Sequence, residues 1–308
     1  MVNINTPLID TIDTEILMHR DAHFGGSFDM MLEYYGGQGV GTMPDFEIDE
    51  ILRLKKVEEK RKDNLSDQYL PTVEKDRIET AKKIYRDLRD VYSDKNSSPE
   101  TILLSDLILS EEETPEKEIQ AIVDGGKDTV PLLIRLLSSH TFYDPLNPGY
   151  GRSPVFAAKC LARIQDERAI PPLFEALGQD NFFTDEAIIQ ALAAFGNRSK
   201  AFLIARLKSE PFSNDNEYAA IALSGFTADA EIARTCLEVL EKEESLKRPF
   251  FASYLVFACS DLTQESERKR FIAIGKKENL PETIVEEMMI VIESWVKATE
   301  SRTEKNQD

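Results

Sequence analysis

Apolar residues recur along the chain at helical spacing, and the same set returns every 31 residues. Within each copy they follow the spacing i, i+1, i+4 and i+7, which places them on one face of a helix. A period of this length is typical of stacked helix pairs and not of one closed core. The copies consist of Ala157, Ala158, Leu161 and Ile164; Ile188, Ile189, Leu192 and Phe195; Ala219, Ala220, Leu223 and Phe226; and Phe250, Phe251, Tyr254 and Phe257.

A second apolar stripe, with the spacing i, i+3, i+4 and i+7, accompanies these copies. It comprises Ile170, Leu173, Phe174 and Leu177; Ala233, Cys236, Leu237 and Leu240; and, upstream, Val130, Leu133, Ile134 and Leu137. In one copy Lys200 takes the first position. One helix pair cannot bury such stripes alone, so neighbouring pairs must stack. We therefore predict an all-α chain with one column of equivalent residues in its core. That column comprises Leu161, Leu192, Leu223 and Tyr254.

The turn between the two helices of a pair carries a recognisable motif. Residues 166–173 read Asp-Glu-Arg-Ala-Ile-Pro-Pro-Leu, and residues 128–133 are a weaker copy. This motif resembles the turn and second-helix start of HEAT repeats, in particular the short HEAT-like type found in phycobilisome lyases. The resemblance implies an α-solenoid with first helices outside and second helices on the concave side, and we predict a right-handed superhelix. It implies no activity, because most HEAT-like proteins are binding scaffolds and a few are enzymes.

The residues ahead of the repeats predict a small helical N-terminal region. Polar, helix-breaking residues at 94–98 mark its boundary with the solenoid. The predicted domains are therefore an N-terminal region, residues 1–95; the HEAT-like solenoid, 96–298; and a disordered tail, 299–308. Within the N-terminal region, helices are expected near 13–20, 28–35, 45–62 and 72–92, with Ser27, Asp45 and Thr72 as N-caps, a frayed start at 1–6 and a glycine loop at 36–41.

Charge argues against two classes of partner. Lys and Arg total 37 against 56 Asp and Glu, which gives a net charge of −19. Nucleic acids and anionic membranes both require clustered cations, so we expect neither as a partner. The three cysteines lie on predicted helices and are interpreted as small core residues, not as a disulfide framework or metal site. We see no signal peptide and no apolar run of membrane-spanning length, so a cytoplasmic protein without a cofactor is expected.

The segment that contains His19, Asp21 and His23 is the first candidate site. On a helix the two histidines share a face and Asp21 points away from it. A metal site needs three or four convergent ligands, and none is evident nearby in sequence. Two interpretations remain open: these residues fix a turn through hydrogen bonds to the glycine-loop backbone, or they have a catalytic or metal-binding role.

An insertion between repeats is the second candidate. The step from Ala121 to Leu161 exceeds the period by nine residues, and the extra residues lie within 140–153, which we call the inserted loop. Insertions of this kind map to loops, which often carry recognition. We predict a partner-binding surface; the alternative is that the loop aromatics pack over the edge of the solenoid. The predicted contact residues are Phe142, Tyr143, Tyr150 and Arg152, with Arg135 and Glu175 on adjoining second helices.

The solenoid pattern and the lack of a strong catalytic motif favour a non-enzymatic scaffold or adaptor. It would bind a protein or peptide through its concave face and the inserted loop. The alternative is a lyase-like enzyme, or a protein that handles a metal or chromophore, with His19, Asp21 and His23 as its site. Deoxyhypusine hydroxylases, another HEAT family, use paired His-Glu motifs for iron, whereas the histidines here are followed by Arg20, Phe24 and Thr141.

Overall fold

The apolar stripes produce helices throughout the computed structural model, which describes residues 10–37, 43–178, 182–277 and 280–304. Within these ranges there are 18 α-helices and no strand, so the predicted all-α fold is confirmed. The chain divides into two compact units: unit 1, Met1–Ile164, and unit 2, Gln165–Asp308. The predicted domain boundary at 94–98 falls within unit 1, and the division at that point stays a prediction. The expected frayed start and most of the glycine loop lie outside the described residues.

Unit 1 contains nine of the helices found in the described ranges. They are α1 (Thr11–His23), α2 (Phe28–Gly36), α3 (Ile48–Arg61), α4 (Leu65–Tyr69), α5 (Thr72–Asp90), α6 (Pro99–Leu109), α7 (Glu116–Asp124), α8 (Val130–Leu137) and α9 (Ser153–Ile164). Helix α1 packs against α3, α4 and α5, and buried apolar side chains such as Ile16, Met31 and Leu54 form the core beneath them.

The start of α1 differs from its predicted position because Asp10 caps it. The Asp10 carboxylate accepts a hydrogen bond from the backbone N–H of Asp13 at 2.9 Å, which allows the helix to begin at Thr11. Ser27 caps α2 as predicted. Two other predicted caps are wrong: α3 begins after Glu47 and not Asp45, and Thr72 is the first residue of α5, after Pro71.

Unit 2 contains the helix pairs that the repeat predicts. Its helices are α10 (Ile170–Glu175), α11 (Phe182–Ala194), α12 (Asn197–Leu207), α13 (Asn214–Leu223), α14 (Ala230–Leu240), α15 (Glu243–Leu246), α16 (Pro249–Ala258), α17 (Glu265–Ile274) and α18 (Glu282–Glu304). The first helices α11, α13, α16 and α18 pack in succession, as do the second helices α12, α14 and α17. Stacking therefore buries the stripes as expected. Helix α18 extends to Glu304, into the predicted tail.

The predicted core column is buried in three copies of the repeat and exposed in the fourth. Leu161, Leu192 and Leu223 are buried, whereas Tyr254 is 38% exposed. In α16 the buried set is shifted by one residue, to Phe251, Ala252, Leu255 and Val256. The equivalent buried leucines Leu223 and Leu255 are 32 residues apart and not 31, because of the connection that contains the short helix α15. The aromatic residues at the predicted core positions therefore turn outward.

Replacing Leu192 with alanine is expected to destabilise unit 2 by about 2–5 kcal/mol, because it leaves a cavity in the core. Tyr254→Ala is the matched comparison, and its cost should stay below about 1 kcal/mol because the side chain is partly exposed. Urea unfolding followed by fluorescence reports on unit 2, since Trp295 is the only tryptophan in the sequence. Equal costs for the two substitutions would show that the column is not core.

Candidate functional site

Helix α1 places His19 and His23 on one face, one turn apart. Their ring centroids lie 5.4 Å apart, and His19 is fully buried. Asp21 points elsewhere, and its carboxylate accepts a hydrogen bond from Arg20 Nε at 2.7 Å. The three residues singled out from the sequence therefore do not converge on one point. Among the residues that the structure describes, no group of three His, Cys, Asp or Glu side chains could hold a metal ion.

A hydrogen bond to the inserted loop fixes the tautomer of His23. Its Nε2 lies 3.0 Å from the backbone carbonyl oxygen of Leu146. A carbonyl only accepts, so Nε2 carries the proton and Nδ1 carries the lone pair. The partner of His23 Nε2 is therefore the inserted loop, whereas the expected bonds to the glycine loop, most of which lies outside the described residues, stay a prediction. Nδ1 has no hydrogen-bond partner in the described part of the chain.

Burial keeps both histidines uncharged at neutral pH. Desolvation, together with smaller effects of the nearby His23 and Arg77 in the same direction, lowers the pKa of His19 to about 3. Desolvation also lowers the pKa of His23 to about 4, against a smaller opposing effect of its bond to Leu146. Glu15 lies 4.0 Å from His19 Nε2, but at that distance it does not offset the burial. Neutral imidazoles at this position act as packing groups and hydrogen-bonding groups, not as cations.

The inserted loop is built into unit 1. Leu146 belongs to the same apolar core as Ile16 and Leu17 of α1. Asp144 accepts two hydrogen bonds from Arg77 Nη2, at 3.0 and 3.2 Å, which fixes the loop to α5. The loop therefore packs against the N-terminal helices over much of its length, rather than extending freely into solvent.

Tyr150, near the C-terminal end of this loop, is buried. Its hydroxyl lies 3.2 Å from the hydroxyl of Tyr85, and its ring lies edge-on to His23 at 5.4 Å. The backbone at Tyr150 has φ of 50°, between two glycines that also have positive φ, a conformation that non-glycine residues adopt rarely. Residues that the surrounding structure holds in such a rare backbone conformation are often found at functional sites.

The other predicted contact residues are more accessible. Phe142, Tyr143 and Arg152 are half-buried, and Arg135 and Glu175 are exposed, the first in unit 1 and the second in unit 2. Tyr143 donates from its hydroxyl to the Leu137 carbonyl at 2.8 Å. Partner binding by this set stays a prediction, and Tyr150 cannot contribute a surface contact in the conformation seen.

A cavity of about 450 Å³ lies where α1, α5 and the inserted loop meet. Sequence reasoning placed His23 and Tyr150 in separate candidate sites, and both line this cavity. It missed Tyr34, Arg86 and Arg89, which line it as well. Their sequence context resembles that of ordinary surface residues on amphipathic helices, so no local signal marks them.

Unit 2 presents a second unusual surface, on α16. Phe250, Tyr254 and Phe257 are 78%, 38% and 46% exposed, and their spacing puts them on one face of the helix. We call these three residues the aromatic face. The helix contains no charged residue. Exposed aromatic residues in a row are uncommon on a folded protein unless another molecule covers them.

Helix α18 lies parallel to α16 beside this face. Ser253 Oγ of α16 donates to Glu287 at 2.9 Å, and Trp295 Nε1 donates at 2.8 Å to the carbonyl of Ser260, in the turn after α16, so the two chain segments run in the same direction. Three glutamates on α18 face solvent and form no ion pair with any residue that the structure describes. We call them the acidic flank: Glu282, Glu286 and Glu293.

One part of the chain matches the model of a known protein family. Residues 154–248 match a family model described as HEAT repeats. Residues 154–248 therefore carry HEAT repeats. The phycobilisome-lyase type in particular stays a prediction. No curated protein matches the chain. Among its described residues, no helix combines the length and the apolar character needed to cross a membrane.

Proposed function

We propose that this HEAT-repeat chain is a protein-binding scaffold whose binding surface is the aromatic face of α16. HEAT repeats are commonly protein-interaction scaffolds, which supports the general function. The observation that carries the specific proposal is the exposure of Phe250, Tyr254 and Phe257 on one helix. In the repeat pattern these positions belong to the core, and the shift of α16 by one residue releases them to the surface.

The energetic argument rests on apolar area. Burying one aromatic side chain that is exposed in the free protein stabilises a complex by about 1.5–3 kcal/mol. Tyrosine and other large aromatic residues frequently dominate interface energies for this reason. Three such side chains supply at most about 4.5–9 kcal/mol, against about 4–15 kcal/mol for the entropy of association, so polar contacts must supplement the aromatic face in a specific complex.

Charge supports a proposal for the chemistry of the partner. The acidic flank lies on the helix next to the aromatic face, and the chain as a whole carries a net charge of −19. Lys and Arg side chains pair with carboxylates, and Arg also stacks on aromatic rings. We therefore propose a basic amphipathic segment of another protein as the occupant, with apolar anchors on the aromatic face and cations against Glu286 and Glu293.

The inserted loop with Arg135, all within unit 1, is the alternative binding surface. Its aromatic residues are half-buried or buried, and Tyr150 and Asp144 are already engaged within unit 1. Less of its apolar area is free to be buried by a partner, so the aromatic face is the stronger candidate.

A triple variant, Phe250→Ala, Tyr254→Ala and Phe257→Ala, tests the proposal. Proteins captured from the native cell with the wild-type chain are quantified against those captured with the variant. The matched control is the triple variant Ile12→Ala, Met30→Ala and Val73→Ala, which removes three exposed apolar side chains from unit 1. We expect the aromatic variant, and not the control, to lose a captured protein that contains a basic amphipathic segment.

That segment is then synthesised and its affinity is measured by calorimetry. The expected loss with the triple aromatic variant is about 100-fold or more, equivalent to about 2.7 kcal/mol. Glu286→Gln with Glu293→Gln should weaken binding by about 3–10-fold at low salt and reduce its salt dependence. Full affinity in the aromatic variant, or a partner without basic residues, would contradict the proposal.

A further inference from the structure

The cavity in unit 1 has walls suited to a planar ligand. Tyr34, Tyr85 and Tyr150 line it together with Phe24 and His23. Their rings contact one another edge-on or tilted, with Phe24 and Tyr34 centroids 5.5 Å apart and His23 and Tyr85 centroids 5.8 Å apart. Its volume, about 450 Å³, lies within the range of small-molecule sites, which are mostly apolar and aromatic with a few polar groups.

Helix α5 supplies positive charge at the cavity. Lys82, Arg86 and Arg89 follow the spacing i, i+4 and i+7, so they lie on one face, and all three line the cavity. Lys82 pairs with Glu79 at 2.9 Å, whereas Arg86 and Arg89 form no ion pair with any residue in the described ranges. The guanidinium carbon of Arg89 lies 5.5 Å from the Tyr85 ring centroid.

The cavity gathers three cations in a chain that has 56 acidic residues against 37 basic ones. Among the described residues that line the cavity, Glu111 is the only acidic one. Two arginines without carboxylate partners in the described chain, beside aromatic walls, are the usual means of binding a carboxylate or phosphate group.

Two polar groups at the cavity wall lack partners. The buried hydroxyl of Tyr34 and Nδ1 of His23 make no hydrogen bond to any residue that the structure describes. Buried polar groups in folded proteins usually have a hydrogen-bond partner, so both atoms are available to bind a ligand in the cavity. A neutral Nδ1 accepts a hydrogen bond, whereas the tyrosine hydroxyl can donate one.

We propose that this cavity binds a small planar anion: an aromatic or heteroaromatic molecule that carries a carboxylate or a phosphate. The ring system lies between Tyr34, Tyr85 and Tyr150. The anionic group lies against Arg86 and Arg89, with Lys82 at the edge. The proposal does not depend on the scaffold function, because the residues that carry it all belong to unit 1.

Calorimetry with three naphthalene probes tests the proposal and distinguishes the two anions. The probes are 1-naphthyl phosphate, 1-naphthoate and the neutral 1-naphthol, which share a planar ring system. We expect at least one anion to bind in a one-to-one ratio, and 1-naphthol to bind about tenfold or more weakly than that anion. Whichever anion binds more tightly identifies the anionic group that the cavity prefers.

Variants of α5 locate the binding site. Arg86→Gln with Arg89→Gln should weaken binding of the tighter anion by about 100-fold, about tenfold for each arginine whose charge-assisted hydrogen bond to the anion is removed. The matched control is Lys75→Gln with Lys83→Gln, which removes the same charge from the same helix away from the cavity. The control should bind within about twofold of the wild type, and circular dichroism should show that both variants are folded.

Three results would overturn the proposal. The first is the lack of saturable binding by either anion. The second is equal affinity for 1-naphthol and the anions, which indicates non-specific apolar binding. The third is a reduction of affinity that is the same in the Lys75/Lys83 control as in the Arg86/Arg89 variant, which indicates that net charge alone attracts the probe.

Discussion

Replacing Arg20 with alanine is expected to destabilise unit 1 by about 3 kcal/mol, the low end of the usual cost of breaking a buried ion pair, because its partners Asp21 and Glu58 are partly exposed. Arg20 is 0% exposed. Its guanidinium carbon lies 4.5 Å from the ring centroid of Phe28. Its nitrogens donate to Asp21 at 2.7 Å, Glu58 at 2.7 Å, Asn64 at 3.2 Å and Ser66 at 2.9 Å.

This free-energy cost arises because the polar groups that bind Arg20 lose their partner. Glu58 Oε2 accepts from Arg20 and from the backbone N–H of Leu65, at 2.8 Å, so one carboxylate joins α1, α3 and the start of α4. Without the guanidinium, Glu58 and Ser66 lose their main buried partner. Unsatisfied buried polar groups are more costly than the net value of the bonds they made.

Hydrogen exchange measured by mass spectrometry in peptides from α1 and α3 gives the local opening free energy. Arg20→Lys should lose most of the same stability, because an ammonium group cannot reproduce the forked set of donors. The surface control is Lys83→Ala, which breaks the exposed pair with Asp87 and should cost about 0–1 kcal/mol. A cost below about 1 kcal/mol for Arg20→Ala would show that the network does not stabilise unit 1.

Arg20 also shows where sequence reasoning reaches its limit. Arginine is rarely fully buried, and the residue lies in a polar segment at the end of a helix, so the sequence favours a surface position. Its partners Glu58, Asn64 and Ser66 are 38, 44 and 46 residues away. Only the packing of α1 on α3 and α4 brings them together, and no local pattern encodes that contact.

The repeat pattern predicts packing where the period holds. Leu192 and Leu223 are in the core because their helices follow the 31-residue step. Lys200, which breaks the second stripe, is explained by its partners: Nζ lies 3.0 Å from Asp229 Oδ2 and 2.8 Å from Glu231 Oε2, at the start of α14. Lys200 is therefore compatible with an apolar position of the repeat because it pairs with two carboxylates of the neighbouring repeat.

The candidate sites were predictable only in part. The length of the insertion identified residues 140–153, and helical spacing placed His19 and His23 on one face. That Leu146 and Tyr150 pack inward against these histidines depends on long-range contacts, which the sequence does not show. The aromatic face was concealed for a different reason, since the one-residue shift of α16 arises from the connection that precedes it and not from the helix itself.

Acidification from pH 7 to pH 5 is expected to destabilise unit 1 by about 4 kcal/mol through His19 and His23, at up to about 1.4 kcal/mol per pH unit for each histidine. In the folded chain their pKa values lie at about 3 and about 4, below the value of 6.5 for an unperturbed histidine. Between those limits the unfolded chain binds protons that the folded chain does not, so stability rises with pH. The contribution of the two neutral histidines to the free energy of unfolding is fully present only above pH 6.5. It decreases as the pH falls towards their folded-state pKa values.

Matched histidine variants separate this effect from the titration of carboxylates such as Glu15, whose pKa burial also raises. Urea unfolding followed by circular dichroism gives the free energy of unfolding at each pH. The double variant His19→Gln with His23→Gln should have a pH slope lower by about two protons between about pH 5 and 6, because glutamine does not titrate. If the double variant keeps the wild-type slope, the two imidazoles are not held neutral by burial.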